Sequence, residues 1–461
     1  MLSVARMIRA TLAAAALLIA PIPAFAQNQQ EALDDRYDRA LAAGYKALFL
    51  CSAIANAERN GTTRTPESVH EWELSGIQAP LDQIVRDLPY RIVRSDRGHI
   101  NFVGVSWAED MPERFAVHRY RFGCSLAPIG INAEDAASAV RQPRIAQTKT
   151  LKYRFGRKPD LLGPEATQDL KERAFGQDYG DGARTTALFV VSDRTVVLEH
   201  YADGFGPKVP QRTWSVAKSI AATLIGDARG VDVFAPTGIE EWQKAGDPRA
   251  QITVDQLLRM ASGRYSDTAG NRTDPVYWGG STVEERALDW PLLHEPGTVY
   301  RYANNDTLMA VKALAGRGMA KTPSAFFRDK LMHDTVAETD WSGNYVLSSQ
   351  VWSTAPDLAR FGMLYLGDGS FGRMSRWREY VSSPSGPQPQ GRGVGYGAGF
   401  WLFNQSDGIP PDTFAAMGNR GQYVVIVPSR DVVIVRRGED PAGHRFDIIA
   451  FTRDVLAALP E

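Results

Sequence analysis

Arg212-Thr213-Trp214-Ser215-Val216-Ala217-Lys218-Ser219-Ile220-Ala221-Ala222-Thr223-Leu224-Ile225-Gly226 is the stretch around which the chain is organised. Val216, Ala217, Ile220, Ala221, Leu224 and Ile225 recur at helical spacing, which predicts a helix that begins at the serine. The apolar residues cover nearly every face, so this helix is expected to lie buried between other layers. Ser215 falls in the first turn and Lys218 three residues on, which puts both side chains on one face. A helix start also offers unbonded backbone N–H groups and the positive end of the dipole. A hydroxyl, an amine one turn away and amide donors are the parts of a serine nucleophile with its own base.

Taken alone, Ser-x-x-Lys turns up about once by chance in a chain of this length. The bland alternative is a helix N-cap serine followed by a lysine that snorkels to solvent. The neighbours weigh against it, because the residues around Lys218 are apolar or small and suit an unpaired ammonium poorly.

Residues 1–26 read as a leader outside the fold. Arg6 and Arg9 form a basic start, Leu12 to Ile22 is an apolar run, and Ala24-Phe25-Ala26 is a small-x-small cleavage site. Cleavage after Ala26 predicts export to the periplasm or the medium; the alternative is an N-terminal membrane anchor. The remaining chain is long enough for two lobes. Lys and Arg number 52 against 53 Asp and Glu, a formal charge of −1, with no block of like charge. That balance argues against nucleic acid and against a basic membrane surface as partners. No other apolar stretch reads as a membrane span. The chain has two cysteines, Cys51 and Cys124, with no Cys-x-x-Cys and no His-x-x-x-His, so neither a metal nor a cofactor is expected. In an oxidising compartment two cysteines most simply form one disulfide. Closing a loop of about 70 residues would stabilise by roughly 4 kcal/mol on the chain-entropy model.

In chain order, Glu31 to Asn60 is helical. His99 to Trp107 and Phe115 to Leu126 read as two strands around Glu109-Asp110-Met111-Pro112. Residues 27–150 thus form a small α+β unit and a connection. Thr186 to Val191 and Thr195 to Tyr201 make a hairpin before the Ser215 helix. Ile252 to Met260 is a helix opened by Thr253, and Asp357 to Tyr365 is another. Gly399 to Phe403, Gln422 to Val427 and Val432 to Arg437 return to strands, and Phe446 to Leu459 is a closing amphipathic helix. Strands from both ends of residues 151–461 are expected to share one sheet, with an all-helical lobe between them in sequence. A cleft between the lobes is the expected ligand site.

Several further segments share one pattern. Thr213-Trp214-Ser215-Val216-Ala217-Lys218-Ser219, Ile252-Thr253-Val254-Asp255-Gln256-Leu257-Leu258, Pro296-Gly297-Thr298, Tyr302-Ala303-Asn304 and Ser353-Thr354-Ala355-Pro356-Asp357-Leu358-Ala359-Arg360 together resemble the class C β-lactamase and penicillin-binding-protein-like serine hydrolases. Within that family the chain is most similar to the 6-aminohexanoate-dimer hydrolases and related esterases, over about Leu151 to Pro460. Tyr201-Ala202-Asp203-Gly204 and Tyr396-Gly397-Ala398-Gly399-Phe400-Trp401 fit that branch. The resemblance implies an α/β (α+β) fold with an antiparallel sheet flanked by helices, of the β-lactamase/transpeptidase type.

The same resemblance assigns roles. Ser215 matches the acylated nucleophile, Lys218 its base, Tyr302 the proton-shuttling tyrosine and Asn304 the side chain that orients substrate. Asn419-Arg420-Gly421 stands where penicillin-recognising members carry Lys-Thr-Gly, and the backbone N–H of Gln422 is expected to pair with that of Ser215 as an oxyanion hole. Asn419 is uncharged, which disfavours a lactam carboxylate while leaving acyl transfer intact. Independently of any family, a lysine of pKa about 10.4 serves as base near neutrality only if its pKa falls by roughly 3 units, through burial and nearby positive charge. The α/β-hydrolase elbow Gly-x-Ser-x-Gly is absent, Gly104-Val105-Ser106-Trp107-Ala108 being the nearest miss. His200 and His294 are weaker candidates to line the cleft, and the loop carboxylates Asp203 and Asp267 weaker candidates to meet a cationic substrate end.

The expectation is an exported serine hydrolase that cleaves a small-molecule amide or ester through an acyl-serine. The alternatives are a non-hydrolysing protein that binds penicillin or peptidoglycan fragments, and a true β-lactamase or D-alanyl-D-alanine peptidase.

Overall fold

The apolar repeat that begins at Leu33 makes a longer helix than its sequence suggests, Pro23–Arg59. In the computed structural model, which describes residues 23–141, 155–157, 161–266, 273–316, 322–367, 373–391 and 393–460, this helix is exposed at its start and buried from Ala40 to Ala57. Within Gln27–Arg59 one 18-residue window is apolar enough to cross a membrane, with a mean hydropathy of 1.3, yet that window is wholly buried inside the protein. It is a core helix, and it corrects the reading that no apolar stretch beyond the leader is long enough to cross a membrane. The leader itself falls mainly on residues 1–22, outside the described residues.

The helix lies against a four-stranded antiparallel sheet of Tyr90–Arg94, Ile100–Val105, Arg114–Arg119 and Gly123–Leu126, paired in sequence order. Two strands were expected here. Tyr90–Arg94 carries an arginine at either side of its apolar pair, and the Phe115–Leu126 run is split by a tight turn at Arg121 and Gly123, both at positive φ. Cys51, on the buried stretch of the helix, bonds Cys124 on the last strand, with a Cα separation of 6.1 Å.

The large sheet has eight strands in the order Gly395–Tyr396, Trp401–Leu402, Phe414–Gly418, Gln422–Val427, Val432–Gly438, Thr185–Ser192, Thr195–Tyr201 and Gly156–Arg157. The C-terminal strand Val432–Gly438 pairs antiparallel with Thr185–Ser192, so strands from both ends share one sheet as expected. Phe414–Gly418 was not anticipated; Phe-Ala-Ala-Met-Gly holds no β-branched residue and does not alternate. The closing helix Ile448–Ala458 and Pro164–Phe175 cover one face of the sheet. The Ser215 helix, Val216–Asp227, and Ala355–Met363 cover the other. The helical region beyond it contains Val254–Leu258, with a Thr253–Gln256 capping box, and Asn304–Gly316.

A single apolar cluster runs from Ala40 and Tyr45 of the N-terminal helix through Trp214, Ile220 and Leu257 to Val435. The N-terminal unit and the sheet-bearing region therefore share a continuous core. Buried ions reinforce the junction. Arg420 Nε donates to Glu439 at 2.6 Å, and its other nitrogens donate to the carbonyls of Trp72, Ser75 and Gly76 at 2.7–3.0 Å.

Candidate active site

Ten consecutive residues from Val216 to Ile225 are buried, so the helix is enclosed on all sides. Ser215 occupies the N-cap position but makes no side-chain cap bond. Its Oγ instead lies 2.9 Å from Lys218 Nζ, and Lys218 is 2 % exposed. The bland reading of a capping serine and a snorkelling lysine does not hold here. The preceding residue, Trp214, sits at φ +49, a conformation that costs a non-glycine residue about 1–3 kcal/mol. Trp214 is held there by Arg212, 4.3 Å over its ring, and by an edge-on contact with Trp278. Sequence gives no sign of this strain.

Lys218 Nζ has two further partners, Asn304 Oδ1 at 2.6 Å and the Ser348 carbonyl at 2.9 Å. Both are acceptors only in this arrangement, since a carbonyl oxygen has no proton to give. A neutral amine has two N–H groups, which these oxygens take up, and its lone pair is then left for the Ser215 hydroxyl proton. Burial alone pushes the Lys218 pKa down from 10.5 to about 7. The expected second cause, a nearby positive charge, is absent from the balance; desolvation suffices. The pH consequence follows. Below about 7 the amine is protonated and has no lone pair, so any Ser215 reactivity is expected to rise with pH along a limb whose apparent pKa in kcat/KM lies near 7. A kcat/KM profile between pH 5 and 9 checks this; a flat profile through pH 7 would contradict it.

Tyr302 and Asn304 bracket the start of the Asn304–Gly316 helix, which places both beside Lys218. The Tyr302 ring centroid is 5.0 Å from Lys218 Nζ and is wedged against Tyr396 and Trp401, at 5.9 and 5.5 Å between centroids. Tyr277 donates to or accepts from Ser348 Oγ at 2.7 Å, and Arg212 Nη2 donates to Ser349 Oγ at 2.8 Å. These contacts fix the turn whose carbonyl receives Lys218. Ser348 and Tyr277 were not legible as site residues, because one contributes a backbone oxygen and the other acts through it.

Ser215, Tyr302, Asn304, Trp401, Gly418 and Asn419 line one cavity of about 750 Å³. That volume suits a small molecule. Gly418 is the point of closest backbone approach: a Cβ there would lie 3.0 Å from Ser215 N and would collide with the Thr213 carbonyl. This corrects the oxyanion assignment. Gln422 is fully buried and outside the cavity, paired with Gly418 across the hairpin, and its side chain is spent on Arg437 and the Arg420 carbonyl. The strand that borders Ser215 is Phe414–Gly418, so the backbone facing the Ser215 amide is that of Gly418 and not of Gln422. Arg420 is corrected as well. It reaches the cavity wall, but at φ +55 its guanidinium turns toward Glu439 and the Trp72–Gly76 turn and is not available to substrate. Gly421 lines the cavity at φ +75, where any side chain would strike Arg436 and Asp440. It serves the packing of that ion pair as well as the opening. His200 packs edge-on against Phe175, and His200, His294 and Asp203 do not line the cavity. Asp267 lies outside the described residues.

The family model described as Beta-lactamase matches residues 171–458, more than half of the chain. Among solved structures, a Bacillus anthracis protein provisionally named a 6-aminohexanoate-dimer hydrolase matches with a TM-score of 0.52 and 18% identity, over 67% of this chain and 89% of its own. This likeness shows a common fold. A penicillin-binding-protein homologue from Caulobacter crescentus gives a TM-score of 0.49 and 16% identity over 66% and 99%. A class C β-lactamase gives 0.49 and 12% over 64% and 96%. No curated protein matches the chain.

Proposed function

The chain belongs to the beta-lactamase family, and from that premise we propose that it is an exported serine hydrolase that cleaves esters or linear amides through an acyl-Ser215 intermediate. The observation that carries this reading is the contact of Lys218 Nζ with Ser215 Oγ at 2.9 Å, with the two other polar neighbours of the amine both acceptors. In the first step Lys218 takes the hydroxyl proton as Ser215 Oγ attacks the substrate carbonyl carbon. The oxyanion develops between the Ser215 amide and the Gly418–Asn419 segment, where backbone donors need no reorganisation. Collapse expels the alcohol or amine, which must collect a proton; Tyr302, packed beside Lys218, is assigned to deliver it. Water, activated by the same pair, then releases the acid. Export is supported by the leader-like sequence of residues 1–26 and by the disulfide Cys51–Cys124.

Esters and linear amides are preferred to lactams because the strand that borders Ser215, Phe414–Gly418, carries no charged side chain to hold a lactam carboxylate, and Arg420 just beyond it is committed to Glu439. Loss of a charge-assisted contact costs about 1.5–3 kcal/mol, one to two powers of ten in binding. The test is kcat/KM for p-nitrophenyl esters and a linear aminohexanoate dimer against nitrocefin, with Ser215→Ala as blank. Esters or the dimer should win by a wide margin. Efficient nitrocefin turnover with none on the others would refute the substrate assignment.

A further inference from the structure

Arg212, three residues before the nucleophile, is 1 % exposed, and its Nε and Nη1 meet no acceptor among the described residues. The carboxylates whose field reaches it, Glu338 and Glu439, are engaged elsewhere. Glu338 accepts from the Cys124 amide and from Trp352 Nε1, each at 2.9 Å, and Glu439 accepts from Arg420 Nε at 2.6 Å. In place of a counter-ion the Arg212 guanidinium has four rings, with Cζ 4.3 Å from the centroid of Trp214, 5.1 Å from Phe49, 5.4 Å from Tyr277 and 5.9 Å from Trp278. Phe49 belongs to the N-terminal helix, upstream of the family-matched residues 171–458, and Tyr45 of the same helix stacks on it at 4.2 Å.

Stability does not explain this arrangement. A buried cation short of acceptors is destabilising, and contacts with rings offset only part of the desolvation. An apolar side chain would fill the same cage with nothing to desolvate. What a planar cation adds is a simultaneous grip on two segments. It stacks over Trp214, whose left-handed backbone presents Ser215, and its Nη2 donates at 2.8 Å to Ser349 Oγ, one residue beyond the Ser348 carbonyl. Ser215 Oγ and the Ser348 carbonyl oxygen both lie 2.9 Å from Lys218 Nζ. The same segments are joined as strands, Arg212 standing opposite Trp352 and the Thr213 amide donating to the Val351 carbonyl at 2.7 Å. One rigid group therefore sets the spacing of two oxygens that the base must meet.

We propose that Arg212 is a positioning residue for acyl transfer and that the N-terminal helix seats it. Held among Phe49, Tyr277 and Trp278, the guanidinium keeps Trp214 in its strained conformation and the Ser348–Ser349 turn in place, so that Ser215 Oγ and the Ser348 carbonyl reach Lys218 together. Arg212 does not line the cavity and acts through these neighbours. The N-terminal unit, outside the family-matched residues, is then needed for reactivity as well as for the core. This assignment rests on the reading of Ser215 as the nucleophile.

The test uses the full chain and the rate at which a fluorophosphonate labels Ser215 between pH 5 and 9, read beside the melting midpoint. Arg212→Met should lower the plateau rate by about 100-fold, the scale of a 1 Å misplacement. Its limb should keep an apparent pKa near 7, because burial sets the charge state of Lys218. It should melt at or above the parent's midpoint, because an unpaired buried charge has been removed. Arg212→Lys, which keeps the charge and a donor but loses the flat stack, should recover part of the rate. Phe49→Leu should slow labelling by about 10-fold in the parent, through a weaker ring contact, and have little effect in the Arg212→Met background. Parental labelling in Arg212→Met, or full additivity of the Phe49 and Arg212 effects, overturns the proposal. A lowered midpoint or a failure to fold in Arg212→Met makes the residue structural and overturns it too. A parent that is not labelled at Ser215 refutes the reading of the site and this assignment with it, whereas a labelled parent with indifferent variants refutes this assignment alone.

Discussion

Lys218→Met should lower acylation of Ser215 by at least about 10³-fold while the protein folds as well as the parent. The amine is fully enclosed, and burial holds its pKa at about 7 against an ordinary 10.5. That displacement corresponds to roughly 4–5 kcal/mol set against the charged form. Methionine fills a similar volume with no charge to desolvate, so the fold is relieved of that burden and loses three hydrogen bonds, with Ser215, Asn304 and Ser348. Lys218→Arg keeps the donors but not the function, because guanidinium stays protonated and offers no lone pair. Single-turnover acylation with a p-nitrophenyl ester, read beside the denaturation midpoint, separates the two effects. Near-parental acylation in a folded Lys218→Met protein would remove the lysine from the mechanism.

Arg420→Met should destabilise the protein by about 3–5 kcal/mol, the range for removing one partner of a buried ion pair. Glu439 is 1 % exposed and would be left with an uncompensated charge, and the carbonyls of Trp72, Ser75 and Gly76 would lose their donor. The double variant Arg420→Met/Glu439→Met should recover much of the loss, since replacing both partners by apolar groups avoids the stranded charge. Urea denaturation of the three proteins checks this. A single variant as stable as the parent would mean that Arg420 does not clamp the N-terminal turn.

The contrast between these two residues shows what sequence can carry. Ser215 and Lys218 were legible because a nucleophile and its base on one helix face must appear at fixed spacing, and the apolar helix around them foretold the burial of the amine. Thr253 likewise announces the start of its helix, and the two apolar runs from Thr186 to Tyr201 their hairpin. Arg420 was read from its position beside a glycine, yet its direction depends on a left-handed backbone that no local rule assigns to arginine. The oxyanion assignment to Gln422 failed for a related reason. Phe414–Gly418 lacks β-branched residues, so the strand that borders Ser215 was invisible and the register moved to the next one. Arg212, Arg436 and Arg437 are buried, where composition suggests surface; each is matched to aromatic rings, a carboxylate or carbonyls from distant segments.

The most direct test of the account is intact-protein mass spectrometry after exposure to a fluorophosphonate, followed by peptide mapping. A single adduct is expected on Ser215, forming faster as the pH rises through about 7 and absent from Ser215→Ala and, on the same time scale, from Lys218→Met. An adduct on another residue, or labelling of Ser215 at an unchanged rate in folded Lys218→Met, would contradict it.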